Sequence, residues 1–510
     1  MRQSLLNSST SSVDDAFDER AALWSPQENL LRSSPLISPN GSIRKPTPSA
    51  KQGTIKSSVF NLANTILGTG CLACPYACKL LGVGGFVILM LFSALLADYA
   101  IKVLFVSVEK LQVERARYPT LGRRTMGSFG EYLSSLVVTL QQCGACIGYM
   151  VIIGDVLQPI AALSGWEWTC HRWILQLALL VCVIFPLCLL PTMSSLKYVS
   201  FASLILIISC VLGIVANGFL VLDDPSRRND LLHPNVTHSN SVCKKSDINT
   251  TSFYFSETYQ DVYHQHLNTT AMDDTMRMFP VHLGNALSAL PIISFAFLCH
   301  QNTFPIYKEL KNASPTKMAT VGHYSISICC FVYLMSGIMG YYTFLDNTKS
   351  DLLINFSVTG TYFSMVMDIV RTGFGIACVL SYPLMVWEAR HNIDVLLFGN
   401  RKYQFWRNFG LNLGILSVCG AIGMTVQDLD VVLGFVGSTC SPLMVFVLPA
   451  LFYLKSDDEN KLQWKNWKVL CMLGWGLFLI PACLFCWTLG NFFCTNGAET
   501  QTKLCEAFGY

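Results

Sequence analysis

An all-α membrane protein of eleven transmembrane helices is the fold class this sequence predicts, and three observations predict it. Hydrophobic residues make up 52% of the 510 and charged residues only 13%, far from soluble composition. Eleven apolar runs approach the ~20 residues that cross a bilayer core. Two of those runs, the first and the sixth, are interrupted, and they stand five helices apart. That spacing is the pattern of two inverted five-helix repeats with a substrate site where the broken helices meet near the midplane. The eleventh helix is then a C-terminal addition.

The runs, in order, are α1 at 57–79, α2 at 84–108, α3 at 131–158, α4 at 173–190, α5 at 196–222, α6 at 280–300, α7 at 317–344, α8 at 362–389, α9 at 405–425, α10 at 431–454 and α11 at 468–491. Five segments follow: a tail at 1–56, a first repeat at 57–222, a loop at 223–279, a second repeat at 280–454, and α11 with a C-terminal tail at 455–510. The tail is rich in Ser, Pro and Arg without hydrophobic periodicity, so it reads as disordered and open to cytosolic partners. No cleavable signal peptide precedes α1.

Basic residues beside the runs set the orientation, because Lys and Arg stay on the cytoplasmic side. Lys51 and Lys56, Arg115 to Arg124, Lys308 to Lys317, and Arg390 to Arg407 all fall inside if the N-terminus is cytoplasmic. The α5–α6 loop then lies outside. It carries the sequons at Asn235, Asn249 and Asn268, which glycosylation reaches only on the lumenal or outer face. Either a plasma membrane or a lysosomal or vesicular membrane fits. Of the 21 cysteines most lie within runs, where a thiol is a small hydrophobe. Cys170, Cys243, Cys494 and Cys505 fall on the oxidising side and allow three pairings, of which Cys170 with Cys243 would tie down the long loop.

Inside hydrocarbon an unpaired amide or carbonyl is costly, so irregular backbone persists only where protein or a water-filled cavity covers it. The "GTG" at 68–70, followed by Pro75, breaks α1 in just such a place. Two readings stay open: the glycines bare amides to a ligand, or they let helices pack closely. In α6, "LGNALSALPIISFAFLCHQNTFPIYKEL" (283–310) is interrupted by Pro291 and ends its apolar run at Cys299-His300-Gln301-Asn302 before a short amphipathic segment.

Four stretches in the same order also resemble the amino acid/auxin permease group, within it the solute carrier 38 branch. They are "SSVFNLANTILGTGCLACPYACKLLG" (57–82), "GYMVIIGDVL" (148–157), "SFAFLCHQNTFPIYKEL" (294–310) and "GFVGSTCSPLMVFVLPALFYLK" (434–455). The resemblance implies a leucine-transporter type fold and coupled transport of amino acids. In such a fold a zwitterion needs donors for its carboxylate and acceptors for its ammonium. Amides around Thr65, Leu67, Gly68, Thr69 and Gly70, at the positive end of a half helix, suit the carboxylate. Carbonyls near Ser294, Phe295 and Leu298 suit the ammonium, and Gln141, Gln142 and Tyr149 of α3 are polar groups at spacings expected to place at least one of them toward the same region.

For the coupling ion, the resemblance supplies Asn61 and Asn64 on α1 as sodium partners, and expects a threonine hydroxyl on α8. Aligned through its Val-Arg and Ser-Tyr-Pro, "VMDIVRTGFGIACVLSYP" (366–383) puts Ile369 at that position, with Thr372 one turn on. A hydrocarbon does not coordinate sodium. The expectation is therefore proton coupling, with His300 as the titrating group and sodium symport as the alternative. Asp98 and Lys102, four residues apart, and Asp368 and Arg371, three apart, read as ion pairs on single helix faces. Asp155 reads as a solvated end of α3.

The expected function is alternating-access transport of amino acids, with a nutrient receptor on a transporter fold as the rival. A receptor would bind without flux. No filter motif points to a channel and no nucleophile–base spacing to an enzyme. No spacing marks a metal site or calls for a cofactor, and a net charge of +3 is too small to suggest nucleic acid.

Overall fold

The computed structural model describes residues 53–68, 70–113, 116–162, 171–189, 197–224, 228, 276–280, 282–356, 362–398, 404–426, 428–456 and 466–489. Among them every regular element is helical, apart from one backbone bridge between Gly53 and Leu310. Helix stands at each of the eleven apolar runs. α1 occupies Ile55–Ile66, started by Thr54, whose side chain accepts from Ser57 N, and resumes in Gly70–Lys110. That piece holds the second half of α1 and all of α2, joined by a turn at Gly82 with φ of 68°. A Cβ at Gly82 would be strained, and would also lie 2.6 Å from the Met278 backbone.

α3 lies in Tyr118–Ala162, where Gly127 (φ 68°) sets off a short leading helix. α4 is Arg172–Leu179, a π-turn at Leu180–Ile184 and Phe185–Cys188; α5 is Lys197–Asp223. α6 is Leu283–Ala296, followed after the break by Thr303–Glu309. α7 is Pro315–Phe344, begun by Ser314 capping Lys317 N with proline in the first turn. α8 is Tyr362–Phe398 and α9 Phe405–Thr425. α10 runs Leu429–Pro442, a π-turn at Leu443–Val447, then Leu448–Ser456, and α11 is Trp467–Thr488. Among the described residues nine helices are long and apolar enough to cross a membrane, and Arg172–Cys188 is a shorter apolar one.

Pro291 does not break α6, contrary to the sequence expectation: the helix passes through it to Ala296. The position is braced from α10, where a Cβ on Gly437 would overlap the Pro291 carbonyl, so the glycine admits the proline-bent backbone.

Most of the helix pairings reproduce themselves when every helix number is shifted by five, although the packing of α6 on α10 has no α1–α5 counterpart of that extent. α1 packs on α7, and α6 on the α1–α2 piece; α3 packs on α9, and α8 on α4; α5 meets α8 and α7, and α10 meets α3 and α2. The two halves are thus built to one plan that no sequence identity between them announces. α1, α2, α6 and α7 form one cluster and α3, α4, α8 and α9 another.

Candidate functional site

Two half-helices end near each other in the first cluster. α1 stops at Ile66, with Leu67 leaving the helix at ψ of 85°, and restarts at Gly70. α6 stops at Ala296, passes through Phe297 to Cys299, and restarts through a 3₁₀ turn at His300–Asn302. Helix ends expose carbonyls on one side of a break and amides on the other. Tyr333 of α7 answers both breaks at once: its hydroxyl lies 2.5 Å from the Ile66 carbonyl and 3.1 Å from that of Ala296. A further orphan arises because Pro75 has no N–H for the Cys71 carbonyl, and the Ser336 hydroxyl donates to it at 3.0 Å.

The glycines of "GTG" part company here. A Cβ at Gly70 would press on Ala296 at 3.2 Å and the Tyr333 hydroxyl at 3.4 Å, which is a packing role. At Gly68 a Cβ would meet nothing nearer than the Ile66 carbonyl at 4.0 Å. Gly68 instead lines a cavity of about 20 Å³ together with Tyr149, Ile207, Phe374, Ala377, Cys378 and Ser381. That is room for about one water, so an amino acid enters only as the helices rearrange.

Of the residues expected from sequence, Gly68 and Tyr149 therefore reach this cavity. Ser294 is buried on the other side of the α6 break, and Phe295 and Leu298 are half-buried; their stretch is self-satisfied in part, since the Phe295 carbonyl accepts from Leu298 N at 3.0 Å. Leu67 is buried at the end of the first half of α1, where its N–H bonds the Ala63 carbonyl. Thr65 donates its hydroxyl to the Asn61 carbonyl at 3.0 Å. Asn61 is exposed and Asn64 half-buried. Gln141 and Gln142 are buried on α3. Thr69, Cys170, Cys243, Asn235, Asn249 and Asn268 lie outside the described residues. Among the described residues no cysteine is joined in a disulfide, as expected of thiols within the runs.

The α8 register differs from the expected one. Ile369 is 64% exposed on the outside of the bundle, and the Thr372 hydroxyl donates to the Asp368 carbonyl of its own helix at 2.6 Å. The α8 face toward α1 is instead Phe374, Ala377, Cys378 and Ser381, whose 3–4–7 spacing is the signal that sequence reading missed. Ser381 also lies 3.4 Å, oxygen to oxygen, from Ser203 of α5.

Charged groups are rearranged as well. Asp98 faces His323 of α7 at 3.4 Å, in place of the expected Lys102, because the helix-to-helix neighbour lies nearer than the next turn. Asp155 is not a solvated end: it is half-buried and paired with Arg172 at 2.8 Å. Arg371 keeps Asp368 at 3.9 Å, and also donates to the Phe356 carbonyl at 2.9 Å. His300 is fully buried against α2, with no regular hydrogen bond at either ring nitrogen among the described residues.

The turn between α7 and α8 holds Asp351, which is 1% exposed and accepts from Leu353 N at 2.9 Å. Burial pushes its carboxyl up to about 6, against the opposing pull of the Leu353 N–H and of Arg371 and Arg172. The folded protein thus holds this proton between about pH 4 and 6 where the unfolded chain releases it, so the group destabilises the fold as pH rises through that window. The full effect is about 3 kcal/mol. Asp351→Asn is expected to flatten the fall in thermal midpoint between pH 5 and 7.5 in detergent, which a pH series of unfolding curves checks.

The sequence profile described as "transmembrane amino acid transporter protein" matches residues 51–493. The chain belongs to the transmembrane amino acid transporter family. The transporter family accounts for the apolar helices of an integral membrane protein and is not a family of enzymes. Sodium-coupled neutral amino acid transporter 4 of Rattus norvegicus is 28% identical over 439 residues, covering 80% of this chain and 78% of that protein. The same-named protein of Pongo abelii is 27% identical over 434 residues, covering 78% and 77%. The solved structure of MhsT in complex with L-phenylalanine superposes with a TM-score of 0.51 at 11% identity, covering 84% of this chain and 97% of that one. At that identity the likeness shows the fold, which is of leucine-transporter type.

Proposed function

We propose that this transporter carries small neutral amino acids by alternating access and couples them to sodium, with its N-terminus in the cytoplasm. One observation carries the reading: Ser381 of α8 and Gly68 of the α1 break face one cavity whose other walls are Ile207, Phe374, Ala377, Cys378 and Tyr149. Amides at the start of the second half of α1 suit a carboxylate, and no charged side chain stands on that wall to take a charged substrate side chain. The Ser381 hydroxyl on that wall is an oxygen ligand of the kind a hard cation takes. The case for a proton had rested on Ile369, which faces away. The relatives named above are called sodium-coupled and neutral, in agreement.

Uptake of a panel of radiolabelled amino acids into proteoliposomes tests this. Neutral amino acids are expected to enter at least tenfold faster in sodium than in choline, and Ser381→Ala to raise the half-saturating sodium concentration about tenfold. Uptake indifferent to sodium removes the coupling proposal. Binding without flux replaces the carrier by a receptor.

A further inference from the structure

On the side that the sequence places inside, the chain just ahead of α1 is fastened to the turn between α6 and α7. Gly53 N donates to the Glu309 carbonyl at 3.2 Å, and Lys311 N donates to the Gly53 carbonyl at 2.9 Å. A Cβ at Gly53 would lie 2.8 Å from the Glu309 carbonyl oxygen, so glycine is what lets the two backbones meet. The bridge thus links the start of Ile55–Ile66 to the end of Thr303–Glu309, the half-helices on the inner side of the two breaks.

The same turn runs Lys311-Asn312-Ala313-Ser314-Pro315-Thr316-Lys317. Ser314 is half-buried and extended, and Lys311 and Thr316 on either side of it are exposed. A serine followed by proline, with a lysine three places on, is a pattern that protein kinases read. An apolar pocket takes the ring, which has no N–H to leave unpaired, and an acidic surface takes the lysine. The pairing recurs in the tail, where Ser25, Ser34, Ser38 and Thr47 each precede a proline and account for four of the five prolines of residues 1–52. Of the fifteen later prolines, Pro315 and Pro442 alone follow Ser or Thr, and Ser441 before Pro442 is fully buried in α10. Accessible pairs therefore concentrate at the tail leading into Gly53 and at the turn that receives it.

Lys317 decides what a phosphate would do there. Its Nζ donates to the Lys311 carbonyl at 3.2 Å and the Asn312 carbonyl at 3.0 Å, so the third N–H of the ammonium is left for a phosphate on Ser314. Lys311 and Lys317 stand three residues to either side of that serine, and a phosphate brings a charge of about −2 between them. Lys311, whose carbonyl Lys317 holds, is also the residue whose N–H holds Gly53. Fixing Lys317 therefore fixes the bridge, and with it one inner half-helix against the other.

We propose that Ser314 is a phosphorylation site for a proline-directed kinase, and that its phosphate clamps the chain ahead of α1 to the α6–α7 turn and slows transport. Ser314 Oγ attacks the γ-phosphorus of MgATP; the Oγ–P bond forms as the bond to the β-phosphate oxygen breaks, ADP leaves, and the hydroxyl proton passes to the kinase's base. The slowing rests on the transporter reading, whereas the site and the clamp do not. Full-length protein in detergent, where both faces are open, is treated with a purified cyclin-dependent kinase and MgATP. Mass spectrometry is expected to find phosphate on Ser314, and at least tenfold less of it in Pro315→Ala, which keeps the serine. Wild-type protein without phosphate on Ser314, or equal phosphate in the two proteins, overturns the site. The clamp is read in protein whose four tail acceptors are replaced by alanine. There phosphorylation is expected to slow deuterium exchange at the Lys311 amide at least fivefold, and to lower amino acid uptake after reconstitution at least threefold. Adding Ser314→Ala is expected to remove both responses. Exchange that is the same with and without phosphate overturns the clamp and needs no flux to do so; unchanged uptake overturns the effect on transport.

Discussion

Replacing Gly68 by valine is expected to abolish substrate binding while leaving the fold intact. The side chain would point into a cavity of about 20 Å³, which three added carbons fill outright. It would also cover the backbone just before Gly70, where the second half of α1 turns its first amides toward a carboxylate. The fold tolerates the change because the nearest atom to a Cβ is the Ile66 carbonyl at 4.0 Å and no left-handed φ is involved. An affinity loss of at least a hundredfold, about 3 kcal/mol, is expected by equilibrium binding, with the ligand-free thermal midpoint within a few degrees of wild type. Wild-type affinity in this variant would return the glycine pair to helix packing alone. Gly70→Val is the contrasting case: its Cβ presses on Ala296 at 3.2 Å, so the midpoint falls together with binding.

The contrast between these glycines shows what the sequence exposes and what it hides. Apolar runs placed every helix, because membrane thickness dictates their length and no tertiary contact is needed to read it. The α1 break was legible for a similar reason: two glycines with a following proline have few other uses in hydrocarbon. Rotation about a helix axis is a different matter. α8 is apolar on several faces, so alignment by neighbouring letters points to Ile369, which is exposed on the outside of the bundle, whereas Ser381 lines the cavity; packing against α3 and α5 fixes that register. Asp98 illustrates a third limit. Spacing along one helix names Lys102, but the nearer partner comes from another helix, His323 at 3.4 Å.

Tyr333 had no local signature at all, and its loss is expected to be the most damaging single-atom change in the protein. Its hydroxyl lies between the carbonyls of Ile66 and Ala296, at 2.5 Å and 3.1 Å, and its one hydrogen serves the ends of both half-helices. Both carbonyls are orphaned by the breaks that make the site, and the tyrosine is fully buried. Tyr333→Phe keeps the ring and its edge contact with Phe297, 5.7 Å between centroids, so the oxygen alone is removed. An unpaired buried carbonyl costs about 1–3 kcal/mol, and here the same atom ties α1 to α6 through α7. The expected result is a fall of several degrees in thermal midpoint and a loss of most substrate flux. The flux loss should exceed what the remaining folded protein accounts for, since loosened half-helices no longer hold their amides and carbonyls in one arrangement. Normalising uptake to folded protein by size-exclusion chromatography separates the two effects. Flux per folded molecule equal to wild type would confine Tyr333 to stability and leave the breaks to be held by packing alone.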